Sequence, residues 1–270
     1  MTAADLPCRG AGVRRLGLPL PPARMPAVRG VRPLKRWRWV GVFTPELMLC
    51  VAVARIGPFG RRWWAIAEPD GTLLTGSRGV AMSPARVKVD APAARLDLAL
   101  EESAGVEVVS PSGRHWIWTR KQADVPAHGT VAFGRGDREL TARAVVDDSA
   151  GYHQRHTAWR WSAGVGRAAS GESVGWNLVS GIHDAAAASE RTVWIDGEPR
   201  EVAPVDFADD LSRVDGLRFS EWCAREERTN RLLFRSRYRQ PFGSFRGELP
   251  GVGLELAEGL GVTEEHDVRW

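Results

Sequence analysis

The stretch RRWWAIAEPDGTLLTG, residues 61–76, predicts a β-hairpin, and similar stretches recur along the chain. Two apolar runs flank the turn residues Pro69, Asp70 and Gly71. Proline presets the φ angle of a turn, and glycine accepts the positive φ that the turn requires. The same arrangement lies around Pro111–Gly113 in GVEVVSPSGRHWIWTRK and around Asp196 and Gly197 in TVWIDGEPREV. We therefore expect a chain of antiparallel hairpins.

Alternation of apolar and polar residues extends this β pattern. Val87 and Val89 alternate with charged residues in RVKVD, and Leu140 to Val146 alternate in RELTARAVV. Such a period of two is typical of strands with one buried face. No window carries the spacing of an amphipathic helix, and DAAAASE at 184–190 allows at most one helical turn. Short strands without crossover helices predict an all-β, antiparallel fold, built as a barrel or as stacked barrels.

Composition limits the classes of function. The chain has 270 residues, of which 43% are hydrophobic, enough for a substantial core. Its net charge is +4, but the arginines are scattered among acids and form no basic block, so we expect no nucleic-acid partner. Cys8, Cys50 and Cys223 lack the spacing of a zinc site or of a disulfide framework.

The sequence predicts neither a secretory signal nor a membrane-spanning helix. The N-terminal residues contain arginine and proline but no continuous apolar segment of the kind that a secretory signal needs. The longest apolar run, Leu47–Ala54, is far shorter than the roughly 20 residues of a membrane helix. We expect a cytoplasmic protein without membrane insertion, and the sequence predicts no particular oligomeric state.

The chain divides into three parts. Residues 1–34 include GLPLPPARMP, have no periodicity and predict an irregular N-terminal arm. Residues 35–146 and residues 147–270 each carry strand patterns and predict two β-barrel-like halves.

Tryptophans occur in three W-x-W pairs, in which both side chains lie on one face of a strand. A single tryptophan is more often a core residue than a pocket residue, but 12 of them favour a large apolar cavity. The pairs are Trp37 with Trp39, Trp116 with Trp118, and Trp159 with Trp161.

The segment DDSAGYHQRHTAWRWSAGVG, residues 147–166, carries the main candidates for catalysis. We expect one strand to end at Asp148 and the next to begin at Thr157, so that residues 149–156 connect them at a sheet edge or barrel mouth. Aspartate, serine and glycine are also ordinary residues of such a turn, which is the structural alternative.

Acid–base chemistry is the functional interpretation of this segment. A carboxylate such as Asp148 can fix the tautomer of His153 or His156 and shift its pKa, as proton transfer near neutral pH requires. Tyr152 could donate a hydrogen bond to a carbonyl or to a developing oxyanion. The segment has no third histidine and no HExxH motif, so it does not favour a metal site.

Further polar residues are expected at strand ends and near the C-terminus, where they could contact a ligand together with the tryptophans. Charge pairs of Arg235 and Arg237 with Glu221, Glu226 or Glu227 would be structural rather than catalytic. The ligand-binding candidates are Trp159, Trp161, Trp176, Asn177, His183, Glu190, Arg237, Gln240, Glu264 and His266.

Five segments in this order resemble an uncharacterised bacterial family, domain of unknown function 2804. They are KRWRWVGVFTPELML, DDSAGYHQRHTAWRWSAGVG, VGWNLVSGIHD, RQPFGSFRGEL and GVTEEHDVRW, and the resemblance runs from about Lys35 to Trp270. The most specific parts are the D-x-S-x-G-Y-H and Q-x-F-G-x-F-x-G segments. More remotely, the layout is similar to hydroxyneurosporene synthase, AttH-like proteins and lipocalin-type Diels–Alderases. This resemblance implies a calycin-like architecture, with two barrels or sheets side by side and a cavity for a hydrophobic ligand.

Two functions therefore compete. The first is a lyase- or isomerase-type enzyme without a cofactor, in which His153 or His156, oriented by Asp148, moves a proton on an apolar substrate. The substrate would lie in a tryptophan-lined barrel cavity, and the reaction would be a hydration, cyclisation or isomerisation. The second is a lipocalin-like carrier that binds a hydrophobic ligand without changing it.

Overall fold

The computed structural model describes residues 6–134, 136–231 and 234–270. These residues form one short 3-10 helix, Gly10–Arg15, and 21 strands, so the all-β prediction is confirmed. The strands are β1 Cys8–Arg9, β2 Val28–Arg29, β3 Arg32–Pro33, β4 Lys35–Phe43, β5 Met48–Ile56, β6 Phe59–Ala67, β7 Leu73–Gly76, β8 Val80–Ser83, β9 Arg86–Ala91, β10 Ala94–Leu100, β11 Val106–Ser112, β12 His115–Ala132, β13 Asp137–Gly151, β14 His156–Ala168, β15 Ser173–Ser180, β16 Thr192–Ile195, β17 Glu198–Glu201, β18 Arg213–Val214, β19 Leu217–Asn230, β20 Arg235–Leu249 and β21 Leu254–Arg269.

The three predicted hairpins are present as the antiparallel pairs β6–β7, β11–β12 and β16–β17. Gly71 in the first turn has a φ of +90°. In the third turn, Asp196 and Gly197 have φ angles of +49° and +84°. Two successive positive φ angles match the twist of the flanking strands, which explains the Asp-Gly sequence at this turn.

The first sheet contains 11 strands and curves around its own apolar core. Its main order is β7-β6-β5-β4-β13-β12-β10-β9-β8, and β11 pairs with both β12 and β1. The sheet closes on itself between β8, at one end of this path, and β6, next to the other end: the guanidinium of Arg62 on β6 donates to the carbonyl of Val80 on β8 at 2.9 Å. Side chains such as Val40, Leu98 and Val146 fill the enclosed interior.

The second sheet contains eight strands in the order β17-β16-β15-β14-β21-β20-β19-β18. Its concave face holds a separate core that includes Trp176, Phe219 and Phe245. Trp176 packs against Phe245 with ring centroids 5.0 Å apart, and its indole N–H donates to Ser162 at 3.1 Å. Trp176 therefore packs this core and does not line a ligand cavity, in contrast to the sequence prediction.

The two sheets pack against each other through a third apolar cluster, to which both contribute. Trp39 from β4 and Trp161 from β14 meet edge to face at its centre, with ring centroids 5.1 Å apart. A Cβ atom at Gly41 would lie 2.2 Å from the ring of Trp39, so a glycine is needed there for the indole to lie across the strand.

The link between the sheets is shorter than the sequence suggests. Strand β13 continues through Gly151 because residues 147–151 pair with both β4 and β12, and β14 begins at His156. The connection is thus residues 152–155 rather than 149–156. The proposed division at 146 and 147 falls inside β13, and the independence of the two halves as domains stays a prediction.

The N-terminal arm packs onto the outer face of the first sheet, and residues 1–5 of the predicted arm lie outside the described residues. Val13, Leu16 and Met25 are buried against Trp116 and Trp118, the W-x-W pair of β12. Arm strand β1 also pairs with β11. The arm therefore belongs to the folded structure although its sequence has no periodicity.

Tyr152 anchors this arm. Its hydroxyl donates to the carbonyl of Pro26 at 2.8 Å, and its ring packs edge to face on Trp116. The role predicted for Tyr152, a donor to a substrate oxyanion, is incompatible with this position.

No helix among the described residues has the length and apolar character needed to cross a membrane.

We predict that Tyr152→Phe lowers the free energy of unfolding by about 1 kcal/mol, because it removes one hydrogen bond and keeps the ring packing. Urea denaturation of both proteins measures this difference. A loss larger than about 3 kcal/mol would mean that the hydroxyl supports more of the fold than the arm.

Candidate functional site

A cavity of about 150 Å³ lies between the two sheets. Engineered apolar cavities of roughly this volume accept a benzene ring. Six tryptophans contribute to its wall, with apolar residues such as Ile56 and Val179 between them. The tryptophans are Trp37, Trp39, Trp63, Trp159, Trp161 and Trp270.

Two of the W-x-W pairs form opposite walls of this cavity. Trp37 and Trp39 extend from β4 of the first sheet, and Trp159 and Trp161 extend from β14 of the second. The rings of Trp37 and Trp159 are parallel within 6°, with centroids 6.5 Å apart. A tryptophan-lined cavity is therefore present, but it lies between the sheets and not inside a barrel as predicted, because both barrel-like interiors are packed with side chains.

Glu264 on β21 is the central carboxyl group of the cavity wall. Its two oxygens accept hydrogen bonds from the indole of Trp159 at 2.9 Å and from the amide of Gln240 at 2.8 Å. Burial raises the pKa of Glu264 to about 7, and the negative charge of Asp147 acts in the same direction. The hydrogen bonds favour the ionised form but do not cancel the burial. Glu264 is therefore divided between its two protonation states at neutral pH.

His266 and Tyr238 surround Glu264 with uncharged polar groups. The ring of His266 lies 4.5 Å from that of Trp159 and 5.1 Å from that of Tyr238, and its Nε2 is 2.8 Å from the hydroxyl of Ser236. Burial lowers the pKa of His266 to about 4 and raises the pKa of Tyr238 well above its usual value. At neutral pH both side chains are neutral, so Glu264 is the group of this wall that can exchange a proton.

A buried charged cluster, made of Lys121, Asp147 and Glu190, lies at the opposite wall. The ammonium of Lys121 is 2.6 Å from Asp147 and 3.3 Å from Glu190, and the indole of Trp37 donates to Asp147 at 3.2 Å. The two carboxylates raise the pKa of Lys121 despite its burial, so the amine keeps its charge. Burial and the charge of Glu190 raise the pKa of Asp147. One cation thus faces two carboxylates.

His183 completes this wall, and Asn177 lies behind it. His183 lines the cavity, and burial together with the charge of Lys121 lowers its pKa to about 3, so its ring is neutral. Asn177 is fully buried behind the wall, where its amide oxygen accepts from Trp161 at 2.8 Å and its amide nitrogen donates to the carbonyl of Glu190 at 2.9 Å. Asn177 therefore positions cavity residues and does not line the cavity itself.

Asp148 does not orient a histidine, so this part of the catalytic hypothesis is wrong. Successive residues of a strand point to opposite faces, and Asp147, not Asp148, faces the cavity. The carboxylate of Asp148 pairs with Arg38 at 2.9 Å and with Arg120 at 2.7 Å on the other face. It therefore forms part of a structural ion-pair network.

The two histidines of the same segment are separated from the cavity. His153 is buried behind Trp37 and Trp270, with ring centroids 5.1 and 6.0 Å away, and does not line the cavity. Burial lowers its pKa well below the usual value. His156 is exposed at the start of β14 and pairs with Asp267 at 2.8 Å. The described residues contain no group of three potential ligands that could hold a metal ion.

Arg237 also lies outside the cavity. It is exposed and pairs with Glu265 at 2.8 Å. The expected partners of Arg237, Glu221 and Glu226, pair instead with Arg239.

Sequence analysis missed three central residues, Lys121, Asp147 and Tyr238, and named Trp37 only as a member of a W-x-W pair. A usable signal was present in the D-x-S-x-G-Y-H segment, whose first residue is Asp147. Trp39, Lys121 and Asp147 are direct neighbours in the β4–β13 and β12–β13 registers, so they share one face of the sheet. Once the strand pairing is known, the sheet face that carries Trp39 therefore identifies Asp147, and not Asp148, as the aspartate of the cavity.

The curved antiparallel sheets define a calycin-like β protein. The chain belongs to the family described as Domain of unknown function (DUF2804), whose profile matches residues 66–270. This confirms the family predicted from the sequence motifs, with a match that begins later than Lys35. No curated protein sequence matches the chain.

Solved structures with a similar fold include the AttH protein of Nitrosomonas europaea, at a TM-score of 0.51 and 13% identity over 93% of this chain and 99% of that chain. Kievitone hydratase from Nectria haematococca has a TM-score of 0.47 and 9% identity over 86% and 88% of the two chains. CghA, solved with Sch210972, has a TM-score of 0.42 and 10% identity over 94% and 95%. The similarity to the AttH protein confirms the predicted calycin-like fold.

We predict that Lys121→Met lowers the free energy of unfolding by about 3–5 kcal/mol at pH 8, because two buried carboxylates lose their cation. Loss of the ammonium raises the pKa of Asp147 further, so the variant loses stability as pH rises and the deficit is smaller at pH 5. Urea denaturation at both pH values measures this.

Lys88→Met is the matched control. Lys88 is 47% exposed and pairs with Asp97 on the surface, so its replacement should cost less than about 1 kcal/mol at either pH. If Lys121→Met and Lys88→Met lower the free energy of unfolding equally, Lys121 does not stabilise two buried carboxylates.

We predict that Glu264→Gln stabilises the protein above pH 7 by roughly 2–3 kcal/mol and has little effect at pH 4. Between its usual pKa and about 7, Glu264 ionises in the unfolded chain but keeps its proton in the folded protein. Stability of the natural protein therefore falls as pH rises through this window, and glutamine removes that loss.

Denaturation of both proteins from pH 4 to 8 tests this prediction. Glu265→Gln is the control, since Glu265 pairs with Arg237 near the surface. The free energies of unfolding of Glu264→Gln and of the natural protein should differ by an amount that depends on pH. If this difference is the same at every pH, Glu264 ionises at its ordinary pKa.

Proposed function

We propose that the cavity binds a small apolar molecule and that Glu264 transfers protons to and from it. The observation that carries this proposal is a carboxyl group with a pKa of about 7 in the wall of a tryptophan-lined cavity. General acid–base catalysis is most effective when the pKa of the group lies near the working pH. Both the acid and the base form of Glu264 are then available.

The surroundings of Glu264 favour this role. Gln240 and Trp159 hold the carboxyl group in one orientation, and the indole ring of Trp159 is part of the cavity wall. Apolar walls exclude water, so charge that develops on a bound molecule interacts strongly with the polar groups around it. Across the cavity, the pairing of Asp147 with Lys121 places a fixed ion pair opposite a titrating carboxyl group.

The chemistry that follows is a proton-transfer reaction. Glu264 in its acid form donates a proton to the substrate, and the resulting carboxylate removes a proton from another atom of the same molecule. Atoms balance without a co-reactant in an isomerisation or a cyclisation, and a hydration consumes one water molecule in addition. In this proposal Glu264 replaces His153 and His156 as the catalytic residue, because neither histidine lines the cavity.

Deuterium uptake from D2O tests the proposal. Apolar molecules are extracted from the protein purified from its native host, identified by mass spectrometry and incubated with fresh protein in D2O. We expect the natural protein to bind such a molecule and to incorporate deuterium or convert it, with a rate that has an inflection near pH 7. Glu264→Gln should bind the molecule with less than about a threefold change in Kd and show no uptake.

Glu265→Gln serves as the control and should behave like the natural protein. Binding by the natural protein without uptake or conversion at any pH would contradict the catalytic proposal and support the carrier. Absence of binding by any extracted molecule would contradict the proposal as a whole.

A further inference from the structure

Four buried polar atoms without hydrogen-bond partners lie at one end of the cavity. They are the hydroxyl of Thr119, both ring nitrogens of His183 and the Oε2 atom of Glu190, and none of them has a partner among the described residues. Thr119 and Glu190 are 1% exposed and His183 is 7% exposed, and all three line the cavity. We call this set the polar end.

The fold brings these three residues together around Lys121. Thr119 precedes Lys121 by two residues on β12, so both side chains lie on the same face of the strand. Glu190 lies 3.3 Å from the ammonium of Lys121, and its backbone N–H donates to the carbonyl of His183 at 3.1 Å. Three chain segments thus converge on one small region.

Unpartnered polar groups are costly to bury, and most buried polar atoms in proteins have a partner. Valine would fill the space of Thr119 without this cost. Four such atoms that face the same end of the cavity therefore indicate that a ligand supplies their partners.

The charge of this region limits the ligand chemistry. Lys121 already pairs with the carboxylates of Asp147 and Glu190, so it offers no free cation to a ligand, and the oxygens of both carboxylates lie beside it. A ligand carboxylate or phosphate would be repelled. The free oxygen of Glu190 requires a donor, whereas the neutral ring of His183 and the hydroxyl of Thr119 can each donate or accept.

We propose that the polar end binds a hydroxyl group of the ligand, which donates to Glu190 and accepts from Thr119 or His183. Since the tryptophan-lined cavity has the volume of a single ring, the ligand class is an uncharged cyclic alcohol or phenol. This inference rests on the proposed function, because it assigns the substrate class of the same cavity.

Three single-ring probes test this assignment by calorimetry: phenol, toluene and benzoate. They share a ring that fits the cavity and differ in the group that reaches the polar end. The natural protein should bind phenol, and benzoate should bind at least 10-fold more weakly because of its charge. Glu190→Gln should lower the affinity for phenol by about 5-fold or more and change that for toluene by less than 2-fold.

Thr119→Val and Thr263→Val form a matched pair of variants. Both threonines are buried with an unpartnered hydroxyl, but Thr263 does not line the cavity. Thr119→Val should weaken phenol binding about 5-fold and leave toluene binding unchanged, whereas Thr263→Val should change neither. Because valine has the shape of threonine, both variants are expected to fold.

The outcomes separate the two proposals. If toluene binds but phenol binding is unchanged in Thr119→Val and Glu190→Gln, the hydroxyl site is wrong and the apolar cavity stands. Benzoate binding as tight as phenol binding would also overturn the hydroxyl site. If none of the three probes binds, the apolar cavity of the proposed function fails as well.

Discussion

Packing of the two sheets through tryptophan side chains is the interaction on which the rest of the structure depends. Each sheet has its own core, and a third apolar layer joins the two sheets. Trp39 and Trp161 meet at the centre of this layer. Large, rigid indole rings fill such a layer incompletely, and the cavity between Trp37 and Trp159 is the space that remains.

The same packing determines the electrostatics. A tryptophan carries one N–H donor that requires a partner when buried. Trp37 donates to Asp147 and Trp159 donates to Glu264, so the rings that form the walls also hold two carboxyl groups in a poorly hydrated space. Asp147 has a cation beside it, whereas Glu264 has only neutral donors. This difference in partners explains why Glu264 is the group that titrates near neutral pH.

Local signals in the sequence predicted the fold, because turn residues and alternation act within a few positions. The hairpins at Gly71, Gly113 and Gly197 follow from backbone preferences alone. Predicting the site residues requires knowing which face of each strand meets the other sheet. This depends on contacts between residues that are far apart in the sequence. Trp161 and Trp176 both lie within neighbouring strands of the second sheet, yet one lines the cavity and the other packs the second core. Choosing Asp147 over Asp148 likewise required the register of β13 with β4 and β12.

Glu190 and Glu264 were candidates from the sequence, Glu190 because it precedes a strand and Glu264 because it shares a strand face with His266, and both line the cavity. Lys121 was missed because it lies within a long strand, where a charged residue ordinarily faces solvent. The central claim is that burial between the sheets gives Glu264 a pKa near neutrality. Infrared spectroscopy of the carboxyl band, as the difference between the natural protein and Glu264→Gln from pH 4 to 9, measures this directly. The account predicts a midpoint near pH 7, and a midpoint near the ordinary pKa of glutamate, about 4.3, would contradict it.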